Sequence, residues 1–399
     1  MVLNAPYPSD LRVGKEAGSL IKSGFDVYLL CLRSHEQRET ETVDGIKVIR
    51  IDAGVSKAAL AFWDVIMSLF FIHPIFKKAI RTTLCNESIK LVHVHDLPLA
   101  GTALALKKEL GLTVIVDLHE NYPEAMSLWF GWKKNIIVRL KNYLFMNEKR
   151  WARWEKKATS ECDKIISVVD EQKAFILGKY PSLAAEKIVV VSNTELRSFC
   201  NQPVDPSVYK NYQGKFIICY TGGLGAVRGV DIVVKGMAFL KSYPNIVFVI
   251  VGSGSPDFLD TLNRIIRTSG VESAVHLLGH QPFSKVYSFM KLADINVVPH
   301  LKNSQSEYGV PHKLFQNMMA GKPVIVSNCG PIQRIIESSS AGLAFEAGDP
   351  ESFSKAVLTI YNDAVFAQKM GKNGIHETLD GKLNWETTAL ELIRLYNTI

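Results

Sequence analysis

The sequence predicts an α/β protein of two doubly wound domains, each built on a mostly parallel sheet. Three observations predict it. Short apolar runs of strand length alternate with helical stretches, the pattern of repeated β/α units. The alternation breaks once, in "ELRSFCNQPVDPSVYKNYQGK", where Pro203, Pro206 and Gly214 fall, and then restarts. The 399 residues also give each half enough chain to bury its own core.

The elements follow in order. "MVLNA" is a first strand, short for a central parallel one, and helix Val13–Ser23 comes next. Strands are expected at "DVYLLCL", "IKVIRI", "LVHVH", "TVIVDL", "KIISVV" and "KIVVVSN", with a helix at Ala100–Leu110. The apolar stretch Ala58–Phe76 approaches the length of a membrane span, but Asp64, His73 and Pro74 interrupt it. It therefore reads as a buried or interfacial helix. The second half predicts strands at "FIICYTG", "IVFVIVG", "AVHLLG", "INVVPH" and "PVIVSN". Its helices are expected at Gly229–Lys241, Pro256–Ser269 and Ser284–Leu292. The closing "NWETTALELIRLYNTI" is an amphipathic helix with no strand after it, suited to crossing back onto the first domain. The expected divisions are 1–200, 201–380 and a terminal helix in 381–399.

Composition is that of an ordinary globular protein, 47% hydrophobic and 21% charged. Its six cysteines are scattered with no C-x-x-C pair, so neither a zinc site nor a disulfide framework is expected. No leader is expected after Met1, and scattered thiols suit a reducing, cytoplasmic compartment. The net charge is +7, and Ser127–Lys157 holds nine bases against two acids, mixed with Trp129, Phe130, Trp132, Trp151 and Trp154. Two readings stand: an anionic membrane surface, with a peripheral place on the inner face of the cytoplasmic membrane, or a solvated helix with a packed tryptophan stripe. No recognised nucleic-acid module accompanies the charge, so no nucleic-acid partner is expected.

In open α/β sheets, ligands bind beyond the carboxyl ends of the strands. One such loop is "YTGGLGAVRGVD": Gly222 and Gly223 permit close backbone approach, and Arg228 is expected at a helix start. A glycine loop, a helix N-terminus and an arginine suit a phosphate. "VGSGS", with Gly252, and "LLGHQP", with His280, end the next two strands and suit a nucleoside. In "SEYGVPHKLFQ", a helix beginning near Pro311 or His312 points N–H groups at an anion, and Lys313 adds a full charge. Asp10 and Arg12 follow the first strand; they reach a donor phosphate or acceptor, or pair with each other. His93 and His95 share one strand face, with Asp96 at the strand end.

These residues together resemble family 4 glycosyltransferases, which have the GT-B architecture of two Rossmann-like domains facing across a cleft. The resemblance rests on "YTGGLGAVRGVD", "VPHKLFQNMMAGKPVIVSNCGP" and "AGLAFEAGDPESFSKAV", with "PYPSDLRVGKEAGSL", "HVHDLPL" and "DLHENYPE" in the first half. It implies retaining transfer from a nucleotide-diphosphate sugar to an acceptor, with no metal or organic cofactor. The basic stretch then points to a lipid-linked or membrane-associated glycan as acceptor, in polysaccharide or glycoconjugate biosynthesis. The resemblance places His119 near the transferred sugar and Arg228 where the family binds diphosphate with lysine. Gly223 stands where an arginine is usual, and Lys313 replaces that charge. The family's paired glutamates fall at Tyr308 and Gln316; Glu307, one residue away, serves the sugar end, and Leu314 lies within the same motif. Two alternatives accompany this reading: a nucleotide-sugar epimerase of the same architecture and a non-catalytic nucleotide-sugar-binding relative. No G-x-G-x-x-G with a distal acid supports a nicotinamide dehydrogenase.

Overall fold

The computed structural model describes residues 1–34, 36–54, 57–130 and 147–399. The chain divides into two compact units, Met1–Ser192 with Ala389–Ile399, and Asn193–Thr388.

The first unit carries strands β1 (Val2–Pro6), β2 (Tyr28–Leu32), β3 (Thr40–Val43), β4 (Ile46–Ile51), β5 (Leu91–His95), β6 (Thr113–Leu118), β7 (Lys164–Ser167) and β8 (Ile188–Val190). Their spatial order is β3-β4-β2-β1-β5-β6-β7-β8. Among the described residues, only β3 pairs antiparallel, on β4 at the edge. Its sequence, "TETV", is too polar to announce a strand, and it was not expected. Its helices are α1 (Leu11–Lys22), α2 (Lys57–Phe70), α3 (Pro74–Asn86), α4 (Ala100–Leu110), α5 (Tyr122–Phe130), α6 (Glu148–Glu161) and α7 (Asp170–Lys179). Asp10 caps α1, accepting from the backbone N–H groups of Arg12 and Val13. The short β1 is nevertheless central, because Val2 and Leu3 pair with β5 while Val2 and Pro6 pair with β2. A core of Val94, Val116, Phe76, Ile80 and Trp151 packs against it.

The second unit holds β9 (Phe216–Thr221), β10 (Ile246–Val251), β11 (Val275–Gly279), β12 (Ile295–Val298), β13 (Val324–Ser327) and β14 (Gly342–Phe345). The order β11-β10-β9-β12-β13-β14 is parallel throughout. Along β9, Ile218 and Tyr220 enter one apolar cluster while Ile217 and Cys219 enter another. Both faces are therefore covered, which explains why the central strands read as unbroken apolar runs. The edge strand β14, "GLAF", is too short and small to stand out. The helices are α8 (Val230–Met237), α9 (Pro256–Ser269), α10 (Phe283–Leu292), α11 (Ser304–Glu307), α12 (His312–Met319), α13 (Gly330–Ser339), α14 (Pro350–Tyr361) and α15 (Ala364–Ile375). The last helix, α16 (Trp385–Asn397), ends among the residues grouped with the first unit. There Tyr396 Oη pairs with His93 Nδ1 at 2.8 Å.

Among the described residues, no helix is long and apolar enough to cross a membrane. Of the basic stretch, Trp132, Lys133, Lys134, Arg139 and Lys141 lie outside the described residues.

Candidate functional site

In the second unit the loops after β9, β10 and β11 surround a cavity of about 550 Å³ together with the start of α12. Gly222, Gly223, Arg228, Gly252, His280, Pro311, His312, Lys313 and Gln316 all line it. The unit thus brings these expected residues together at the carboxyl ends of its strands.

The loops cross at very short range. Gly252 has φ +151°, and a Cβ built on it would overlap the carbonyl oxygen of Gly222. Only glycine fits such a crossing. Arg228 differs from expectation: it closes a short 3₁₀ turn, Ala226–Arg228, instead of opening the helix. Gly229, left-handed at φ +66°, separates that turn from α8. Arg228 Nη1 donates to His300 Nε2 at 3.3 Å. Burial first, then the charges of Lys313 and Arg228, hold His300 well below its usual pKa. The ring is therefore neutral and accepts.

Lys313 enters from the first turn of α12, after Pro311 at the N-cap. Its side chain is 9% exposed. Nζ donates to Tyr220 Oη at 3.0 Å, and the Thr221 carbonyl lies at 3.5 Å. Tyr220 in turn donates to the Gly223 carbonyl at 2.7 Å. Burial, reinforced by the charge of Arg228, lowers the Lys313 pKa to about 7. Among the described residues, no carboxylate lies within ion-pair distance of Lys313 or Arg228.

Gln316 Nε2 donates to Glu195 Oε2 at 2.7 Å, and Glu195 Oε1 accepts from the Leu196 N–H at 2.8 Å. Glu195 is 7% exposed. The amide of Gln316 is thereby oriented, and a carboxylate stands directly behind it. Sequence reading missed Glu195 and also Asn193, a further lining residue. Glu195 opens the segment that joins the halves and Asn193 ends the run "KIVVVSN", and no spacing marks a ligand at either place.

Three expected donor residues lie elsewhere. Glu307 ends the four-residue α11, and its Oε1 accepts from the Gly330 N–H at the start of α13, at 3.4 Å. Tyr308, the residue after α11, is likewise not among the lining residues. Leu314 is fully buried and belongs to the packing of α12.

The first unit gathers a separate polar cluster at the ends of β5 and β6. The Arg12 guanidinium meets Asp117 through two bonds of 3.1 Å and donates to the Val191 carbonyl at 3.0 Å. Its Nε also lies 3.0 Å from Glu16 Oε1. Arg12 is 5% exposed, and it meets Asp10 through its backbone N–H, at 2.9 Å, while its guanidinium is turned to Asp117, Glu16 and Val191. Asp10 is occupied as the α1 cap. His119 Nε2 meets Asp117 Oδ2 at 3.0 Å and His95 Nδ1 at 3.2 Å, while its backbone N–H donates to Asp96 Oδ1 at 3.2 Å. Burial would lower the His119 pKa, but Asp96 and Asp117 outweigh it and hold it up at about 10. His119 is thus an imidazolium that keeps 17% of its side chain exposed. His95 is neutral, because burial and the neighbouring His93 push its pKa well down.

Glu16, His93, His95 and Asp117 present ligand-type atoms within 4.8 Å of one another. Arg12 lies against both acidic members, Glu16 and Asp117, and His119 lies against Asp117, while burial and then the charge of Asp117 raise the Glu16 pKa to about 8.

Residues 201–377 match the Glycosyl transferases group 1 family, and residues 13–194 match Glycosyltransferase Family 4. The uncharacterized glycosyltransferase MJ1178 of Methanocaldococcus jannaschii is 24% identical over 79% of this chain and 77% of its own length. A D-inositol 3-phosphate glycosyltransferase of Corynebacterium glutamicum is 25% identical over 45% of this chain and 43% of its own. Among solved structures, the sucrose-phosphate synthase of Thermosynechococcus elongatus superposes with a TM-score of 0.79 at 17% identity, over 100% of this chain and 98% of that one. Anabaena Alr3699/HepE in complex with UDP and glucose gives a TM-score of 0.74 at 13% identity, over 100% and 99%.

Proposed function

As this chain belongs to the group 1, family 4 glycosyltransferases of GT-B architecture, we propose that it moves a hexosyl group from a nucleotide-diphosphate sugar to an acceptor hydroxyl, retaining the anomeric configuration. One observation carries the donor site. Lys313 is a buried cation beside Arg228, with no carboxylate partner among the described residues. Two such charges repel, and their burial is costly unless an anion joins them. A diphosphate held by Lys313, Arg228 and the first turn of α12 meets that need. The UDP carried by Alr3699/HepE supports the same reading by likeness of fold.

The chemistry follows from that placement. The bond from the anomeric carbon to the diphosphate oxygen breaks, and negative charge grows on the leaving phosphate. Arg228 and Lys313 stabilise that charge as it forms. The acceptor oxygen bonds to the same face of the sugar, and its proton passes to the leaving phosphate. Gln316, oriented by Glu195, holds the ribose hydroxyls, while Gly252 and His280 border the base. His119 is the candidate for positioning the sugar. The transfer needs no metal in this reading, because the side-chain cations do the work at the diphosphate. The acceptor is a lipid-linked or membrane-associated glycan, in keeping with the basic residues of α6, and the work is done at the cytoplasmic face of the membrane.

Calorimetric titration with UDP, GDP and ADP sugars tests the donor site. One of them binds the wild type, and Lys313→Ala weakens it by ~1.5–3 kcal/mol, the worth of a charge-assisted contact. Failure of all three to bind the intact protein overturns the reading. Product analysis then separates transfer to an acceptor from conversion of the sugar on its nucleotide.

A further inference from the structure

Helix α2 leaves part of its apolar surface uncovered. Phe62, Ile66, Leu69 and Phe70 fall at i, i+4, i+7 and i+8, which places them on one helical face. Phe62 is 56% exposed, Leu69 41% and Phe70 66%, whereas Met67 and Ser68 on the other side are buried. Aromatic side chains this open to water, aligned along one stripe, mark a contact surface.

The end of this stripe is fixed to the basic helix α6. Arg150 Nη2 donates to the Leu69 carbonyl at 2.5 Å. The same guanidinium lies 4.7 Å above the Phe71 ring, which stacks on Trp154 with centroids 4.6 Å apart. From Arg150, the bases Arg153 and Lys157 follow at i+3 and i+7 on one side of α6. With Lys156 they line a concavity of about 380 Å³ that also takes in Ser160 and Ser182. Among the described residues, no carboxylate forms an ion pair with Arg153, Lys156 or Lys157.

We propose that the α2 stripe and the basic side of α6 together dock this protein on an anionic lipid bilayer. Phe62, Leu69 and Phe70 enter the boundary between headgroups and acyl chains, and Arg153, Lys156 and Lys157 meet lipid phosphates. A bilayer offers an apolar layer and a sheet of negative charge side by side, which is what the two helices present in adjacent positions. A second copy of the chain is a poor occupant, because a two-fold contact sets like charges against like. The proposal deepens the membrane-acceptor reading by naming its surface. It is tested without donor or acceptor, so its failure leaves the donor site standing.

The test is flotation of the full chain with vesicles of phosphatidylcholine alone or mixed with phosphatidylglycerol. The wild type should float with the mixed vesicles, and binding should fall at least about tenfold between 0.1 and 0.5 M salt. Phe62→Ser combined with Phe70→Ser should weaken it about tenfold or more. Arg153→Glu combined with Lys157→Glu should abolish the preference for anionic vesicles. Both variants should keep wild-type circular dichroism and nucleotide binding. The proposal is overturned if the wild type ignores anionic vesicles, or if either folded variant binds them as well as the wild type does. It is also overturned if the stripe proves to be a self-interface, shown by light-scattering dimers that the phenylalanine variant dissolves.

Discussion

At the residue scale, the most consequential group is Lys313, whose pKa burial and Arg228 lower to about 7. A diphosphate beside it raises that value, so binding above neutrality must take up a proton. Donor affinity should therefore be greatest below pH 7 and fall by up to about tenfold per unit above it. Calorimetry in two buffers of different ionisation enthalpy measures the uptake directly. Lys313→Met should abolish it, and an uptake unchanged in that variant would rule out this lysine as its source. The Glu195–Gln316 pair offers a second test. Gln316→Glu restores the residue usual in the family, yet sets two carboxylates face to face in a buried place. Nucleotide affinity or stability should drop by ~1–3 kcal/mol, and adding Glu195→Gln should recover most of it. Equal losses in the single and double variants would show that the pair does not act as a unit. Gln316 was legible through its motif; Glu195 was not, because it acts from 121 positions away across the fold.

At the element scale, the legible parts are those whose burial leaves a mark in the sequence. β4, β5 and β6 occupy the predicted runs residue for residue, since each is enclosed by neighbours. β3 and β14 escaped notice because edge strands can be polar or small. The Arg228 loop departs from the expected helix start for a different reason: its backbone path depends on the left-handed Gly229, which spacing does not reveal. Where loops cross, a methyl group is decisive. Gly252→Ala forces a side chain onto the Gly222 carbonyl at a φ that ordinary residues avoid. It should cost more than ~2 kcal/mol and weaken nucleotide binding. Thermal melting with and without nucleotide checks both effects, and an unshifted melt would mean that the crossing relaxes freely.

At the scale of the whole molecule, the two units should differ in their response to pH. His119 is held up at about 10, above its ordinary 6.5, by Asp96 and Asp117 against the opposing effect of burial. The folded state therefore binds the extra proton, and its contribution to stability is complete below about pH 6.5 and lost as pH rises towards 10. Denaturation of the wild type at pH 7 and pH 9.5 should show that loss, and His119→Asn should reduce it. A loss of the same size in the variant would assign the effect to other groups. The sequence disclosed His95, Asp96 and His119 as residues of interest, but not the Arg12–Asp117 ion pair beside them, because that pairing spans 105 positions.

The last helix has a consequence for the order in which the molecule is made. Tyr396 bonds His93 in the first unit and packs edge-on against Phe25. A ribosome completes almost the whole second unit before it releases the residues that finish the first. Met1–Ser192 thus emerges early with His93 still lacking its partner and waits for the tail of the same polypeptide. A gene fragment stopping at Ser192 should yield a loosened domain, whereas one that appends Ala389–Ile399 should restore it.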